Sequence, residues 1–387
     1  MENFEEKTCL CALNRIFGFE PKVALTLLTH AGSAQNVFRL NPKELEQLTG
    51  PYFKHKGEIC QRARDAAAEE LLRLERDGIK FCGWTEGCYP SMLKECDDAP
   101  VGLYIRSNSQ PEDLWHGKDC VAVVGTRDIS PYGREWCGKT VRALSTTSSR
   151  PSIISGLALG TDIEAHRTAL DNGLPTIGVM ATGPDTIYPW RHRETAEQMA
   201  STPGCALITD YPPGTAPLAI HFLRRNRIIA GLSMATILIE SKIKGGGMMT
   251  CRLAFSYSRD VYAMPGRVDD IRSQGCNLLI GQKIAEPIIS TASLLEGLGM
   301  KASAHSITSS TGMLQEAFRG KISDDALCRM NLVIELIRKN RGITVEELPS
   351  LSGLSYRNVA EAVNLLEIEG FICVDILQRC SINYKNA

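Results

Sequence analysis

Apolar positions recur at helical spacing through the first 75 residues and then give way to short apolar runs. Leu10, Leu13, Ile16 and Phe17 share one helical face. Phe19-Glu20-Pro21 breaks that pattern, and Val23, Leu25, Leu27 and Leu28 resume it. Asn41-Pro42 opens another helix, with Leu45 and Leu48 on its buried side. Residues 60–74 are rich in Ala, Leu, Glu and Arg, all strong helix formers. A small helical domain of SAM-like or helix-hairpin-helix type is therefore expected over 1–78.

From 79 to 300 the runs read as strands: 121–124, 152–154, 176–180, 206–208, 236–239 and 261–263. Each is rich in β-branched residues, and helix-length segments separate them. That alternation predicts βαβ units and an α/β fold, an extended Rossmann-like parallel sheet. Loops following such strands gather at one sheet edge, where open α/β folds bind ligands. Residues 301–321, with Ser303, Ser306, Thr308, Ser309, Ser310 and Thr311, have the composition of a linker. Helices expected near 325–339, 344–350 and 355–369, then a strand from Phe371, predict a C-terminal winged-helix domain over 322–387. Its third helix carries Arg357 but also Glu361, Glu367 and Glu369, which favours a protein-contact or regulatory role over duplex binding.

Composition narrows the class without choosing a function. The 387 residues carry a net charge of −1, with 43% hydrophobic and 22% charged positions, which suits a folded multidomain protein. Bulk charge cannot hold a polyanion here, but a local basic patch can be hidden by acids elsewhere. No run reaches the length of a membrane span, and the start Met1-Glu2-Asn3-Phe4-Glu5-Glu6-Lys7 does not read as a signal peptide. Fourteen cysteines without C-x-x-C spacing are expected as free thiols in a reducing cytoplasm.

Four segments carry candidate chemistry. Gly125-Thr126-Arg127 follows the first strand run and can present N–H groups, a hydroxyl and a guanidinium to a phosphate. The same residues would also make a tight turn with Arg127 in a structural ion pair. Ser155-Gly156 opens a glycine-bearing loop running into Asp162 and His166, which share a helix face. A buried hydrogen-bonding pair suits those two better than a metal site, because no third ligand is evident. Next, Arg224, Arg225, Asn226 and Arg227 belong to a stretch, 221–252, with a net charge of +5 in a near-neutral chain. Such segregation is what a polyanion site requires. Finally, Lys244 and the run Gly245-Gly246-Gly247, leading to Thr250, would let a phosphate approach a helix N-terminus. No nucleophile–base arrangement, metal-ligand spacing or cofactor fingerprint stands out, so neither catalysis nor a metal or cofactor is expected.

In order along the chain these segments resemble the DNA-processing protein A family (DprA, also called Smf). The resemblance rests on residues 121–133 (VAVVGTRDISPYG), 153–170 (IISGLALGTDIEAHRTAL), 176–189 (TIGVMATGPDTIYP), 207–213 (LITDYPP), 222–233 (FLRRNRIIAGLS), 239–250 (IESKIKGGGMMT), 261–266 (VYAMPG) and 275–280 (GCNLLI). It implies a single-stranded DNA-binding recombination mediator without established catalytic activity. Such a protein protects incoming strands during natural transformation, recruits and loads the RecA recombinase, and works as a cytoplasmic homodimer. By motif, Arg127 and Arg225 are the leading DNA contacts; Arg227 and Lys244 follow from local charge, and Asn226 stands with them. The phosphate loops are Gly125-Thr126, Ser155-Gly156 and Gly246-Gly247 with Thr250. Thr126 and Asp210 stand where the family usually has Ser and Glu, Leu223 where it has Pro, and the glycine run where it has a Ser-Gly-Ser pattern. A Rossmann-type phosphoribohydrolase is the competing expectation, against which Leu253 stands where that enzyme's Glu would fall.

Overall fold

The apolar runs form strands because each residue in them is covered on both sides. The computed structural model describes residues 2–301, 318, 322–340 and 342–382. Its strands are β1 (Ile79–Gly83), β2 (Gly102–Arg106), β3 (Cys120–Val124), β4 (Ser152–Ser155), β5 (Thr176–Val179), β6 (Ala206–Thr209), β7 (Ala235–Leu238), β8 (Asp260–Ala263) and β9 (Glu286–Pro287). They make one sheet in the order β1-β2-β6-β5-β4-β3-β7-β8-β9. From β6 to β9 every pairing is parallel. β1 and β2 add an antiparallel margin. The sheet is therefore mixed rather than wholly parallel as expected, because the two extra strands pair back on the edge that β6 leaves open.

Alternation along β3 feeds two cores. Val121 and Val123 point to one face, with Cys137, Val141 and Ile153. Ala122 and Val124 point to the other, with Ile228, Ile229 and Ala254. The covering helices of the first face are α8 (Pro131–Ser145) and α9 (Thr161–Asp171), and of the second α11 (Ala219–Leu232) and α12 (Gly246–Ser256). β3 is flanked by β4 and β7. The chain runs outward from β3 to β6 on one side and from β7 to β9 on the other. The strand order thus reverses between β3 and β7, and a crevice opens beyond their carboxyl ends.

The helices α1 (Glu2–Ile16), α2 (Pro21–Ala31), α3 (Ala34–Val37), α4 (Pro42–Thr49) and α5 (Gln61–Arg76) precede the sheet, and α6 (Ser91–Lys94), α7 (Glu112–Trp115) and α10 (Arg193–Ser201) lie between its strands. Asn41 caps α4 in a reciprocal pair with Glu44, as its place before Pro42 predicts. No packing boundary falls at the expected residue 78. Leu10, Phe17 and Leu74 share one core with Phe81 of β1 and Tyr104 of β2. Asn14 is buried and donates to the Asp210 carbonyl at 2.8 Å, beside β6. Residues 1–302 accordingly form one compact unit. One pair of cysteines departs from the expected free thiols: Cys82 and Cys88 are joined as a disulfide.

The second unit spans 303–387. Apart from Lys301 and Phe318, the expected linker over 301–321 lies outside the described residues. The unit's helices are Asp324–Lys339, Leu348–Ser352 and Tyr356–Ile368, the first and third capped by Ser323 and Ser355. An antiparallel hairpin follows, Ile372–Val374 with Cys380–Ile382. Met330, Ile334, Val359, Leu366 and Phe371 make its core.

Candidate nucleic-acid interface

A cavity of about 650 Å³ fills the crevice at the carboxyl ends of β3 and β7. Three of the four sequence segments meet there, and the other supplies part of its wall.

The β3 loop is anchored from below. The Thr126 carbonyl accepts the Thr161 N–H at 3.1 Å and the Thr161 hydroxyl at 3.3 Å, which ties it to the start of α9. The Thr126 hydroxyl accepts the Asp128 N–H at 3.1 Å and keeps its own proton to donate. Asp128 is paired with Arg272 at 2.7 Å. Ser130 caps α8 and binds buried Glu240 after β7, which fixes the spacing of the two strand ends. Arg127 is exposed and makes no ion pair with any described residue; its guanidinium lies 5.1 Å over the Phe222 ring. The alternative of a structural ion pair at Arg127 is therefore not what the fold builds.

Helix α11 sends its basic residues in different directions, because successive positions turn by about 100°. Arg224 reaches the Gly18 carbonyl at 2.9 Å and stacks over Phe19, holding the N-terminal helices. Arg225 is 3% exposed, lines the cavity and donates to the carbonyls of Gly156 and Val179. Burial pushes its pKa down to about 10, with Asp162 opposing the shift. Asn226 is buried and also lines the cavity. Arg227, expected as a DNA contact, is set elsewhere. It is buried, pairs with Asp210 and donates to the Asp98 carbonyl, and it does not reach the cavity.

Ser155 and Gly156, expected as a phosphate loop, are likewise set inside the fold. Both are buried and neither lines the cavity. The Ser155 hydroxyl donates to the Val123 carbonyl at 2.6 Å. A Cβ at Gly156 would stand 2.5 Å from the Arg225 guanidinium, so glycine is needed there to admit the arginine. Asp162 does not bond His166; it accepts the Ala158 N–H at 3.3 Å, and burial raises its pKa against the opposing charge of Arg225. His166 pairs with Thr176 at 2.7 Å, and burial pushes its pKa down to about 3. Among the described residues, the trio within ligand range of one another is Cys82, Glu86 and Cys88, and its two sulfurs are joined to each other.

The opposite wall is the start of α12. No side chain caps this helix, so its first-turn N–H groups at Gly246 and Gly247 open on the cavity. Thr250 lines the cavity but is buried, with its hydroxyl 3.4 Å from the Gly246 carbonyl. Lys242 and Lys244 are exposed on the rim. Sequence reasoning left out Lys242 and Tyr188. Lys242 lay within the +5 stretch, and the exposed Tyr188 in the segment after β5 meets Phe222 edge-on at 5.5 Å. The cavity wall thus offers Arg127, Arg225, Lys242 and Lys244 against one described carboxylate, Asp162.

Fold and site together define an α/β protein with a cationic cradle at the switch point of its sheet and aromatic rings beside it. Residues 80–299 match the family described as DNA recombination-mediator protein A, and the chain belongs to that family. It is 40% identical over 209 residues to the DNA processing protein DprA of Streptococcus pneumoniae, covering 54% of this chain and 71% of that one. It is 33% identical over 302 residues to protein Smf of Synechocystis, covering 77% and 74%. The crystal structure of the pneumococcal protein superposes with a TM-score of 0.63 at 31% identity, covering 76% of this chain and 98% of that chain. A structure of the Helicobacter pylori DNA processing protein A, which concerns that protein's single-stranded DNA binding mode, superposes with a TM-score of 0.50 at 27% identity, covering 57% and 95%.

Proposed function

We propose that this protein is a single-stranded DNA-binding recombination mediator whose cradle grips the sugar-phosphate chain. In this reading it protects incoming strands and loads the RecA recombinase during natural transformation, as a cytoplasmic homodimer. It acts by binding rather than catalysis, and residues 322–387 serve as a winged-helix module for protein contact. The observation that carries the reading is Arg127, a cation without an ion-pair partner among the described residues, at the mouth of a glycine-walled cavity and stacked on a half-buried aromatic ring. Family membership supports it, as does the likeness to the Helicobacter pylori protein, which binds single-stranded DNA. No helix among the described residues is long and apolar enough to cross a membrane.

The test is a titration with single- and double-stranded oligonucleotides at two salt concentrations. Three exposed cations at the cradle, Arg127, Lys242 and Lys244, predict a slope of log K against log salt of about −2 for single strands, at roughly 0.7 per phosphate. Equal affinity for duplex, or no salt dependence, overturns the reading. Release of free base from nucleoside monophosphates would instead support the phosphoribohydrolase. Against that enzyme, Leu253 stands on α12 where its Glu would be required, and it does not line the cradle.

A further inference from the structure

Beside the cradle, across the start of α12, runs a second groove of about 480 Å³. The two share Leu223, Lys244 and the Gly245-Gly246 backbone as a common wall. The second groove differs in chemistry. Buried Met248, exposed Met249 and partly buried Leu253 form the apolar lining, and Lys244 and Arg252 supply the cations. Met249 and Leu223 are each 42% exposed, so the apolar surface is open to an incoming group.

We propose that this groove is a base-binding subsite, in which an unpaired nucleobase of the bound strand lies against Met249 while its phosphate sits at the shared Gly245-Gly246 wall. The inference rests on the single-strand reading above. Continuity supplies the first argument: a nucleotide anchored at the open N–H groups of α12 can carry its base to either side of that wall. The cradle side holds Arg225 and Asp162, whereas the other side is apolar. Charge complementarity supplies the second. Lys244 and Arg252 flank the apolar lining where the neighbouring phosphates of the same strand would pass, and Arg252 spends one donor on Gln282 at 3.1 Å.

A methionine suits this task. Its thioether is polarisable, packs against π-faces and adjusts through three rotatable bonds, so it accepts any base without reading sequence. Every base has such a face, which is how strand-tolerant binders hold single strands. A duplex cannot fill the groove without unstacking a base, at a cost of a few kcal/mol. The subsite therefore adds preference for single strands that phosphate contacts alone do not provide.

The experiment uses the full chain and a labelled oligothymidylate, compared with a strand of equal phosphate count whose sugars lack bases. Wild type is expected to bind the base-bearing strand more tightly. Met249→Ala should weaken binding to that strand roughly two- to tenfold and leave the abasic strand unaffected. Met249→Phe should keep or raise the preference. If Met249→Ala retains the full wild-type preference, or weakens both strands alike, the subsite is wrong. A change in sedimenting mass in Met249→Ala would reassign the face to a contact between protein chains. Wild type binding both strands equally would remove the subsite and leave the cradle standing. Binding to neither would end the single-strand reading itself.

Discussion

Arg127 and Arg227 are both drawn from basic segments, yet the structure gives them opposite tasks, and removing each should leave an opposite signature. Arg227→Ala strips the counter-charge from Asp210 and a donor from the Asp98 carbonyl, at side chains only 7% and 4% exposed for the ion pair. Leaving a buried charge without its partner costs about 3–5 kcal/mol, a large part of the roughly 5–15 kcal/mol that holds a typical domain folded. Replacing both partners, Arg227→Met with Asp210→Leu, should restore most of that loss, because no charge is then stranded. Arg127→Ala removes an exposed cation and its stacking on Phe222, worth about 0.5–1 kcal/mol to the fold. Its effect falls on the ligand: the salt slope for single strands should become shallower by about 0.7, the share of one phosphate. Urea unfolding followed by tryptophan fluorescence measures the first effect, and anisotropy of a labelled oligonucleotide over a salt series measures the second. An Arg227→Ala protein of wild-type stability that has lost its affinity would refute the assignment. So would an Arg127→Ala protein with an unchanged salt slope.

Gly160, at φ +76° before α9, should be intolerant of any side chain: a Cβ there would stand 2.7 Å from the Arg127 carbonyl, and the backbone strain alone costs about 1–3 kcal/mol. Gly160→Ala is therefore expected to lower both stability and single-strand affinity by displacing the Arg127 loop, read by the same unfolding and anisotropy assays. His166 is neutral in the fold down to about pH 3 and protonates near 6.5 when unfolded, so acid favours the unfolded chain. Stability should fall by about 1.4 kcal/mol for each pH unit below 6.5, and His166→Gln should flatten that slope in unfolding measured from pH 7 to 5.

The strands from β3 to β8 were readable because each is a local signal: a short β-branched run closed by a polar or glycine turn. The positions of Gly125, Thr126, Gly246 and Gly247 after strands were readable for the same reason. β1 and β2 were not, because an antiparallel edge strand carries no mark of the partner it will find. The expected break near residue 78 failed similarly. Helical periodicity ends there, but whether two segments share a core depends on which apolar faces meet, and here Phe81 and Tyr104 meet the helices.

By itself the sequence determined the alternation of elements, the edge of the sheet where the loops would gather, and the excess of positive charge in one segment. Tertiary structure alone decided which of those charges faces a ligand. Arg224, Arg225 and Arg227 lie within one turn of α11, and spacing along a chain says nothing about rotation around it. Packing of that helix against the sheet turns Arg227 onto Asp210, seats Arg225 over Gly156 and leaves Arg127, on a separate loop, open to solvent. Orientation is a property of surfaces in contact, and those surfaces come from residues far apart in the chain.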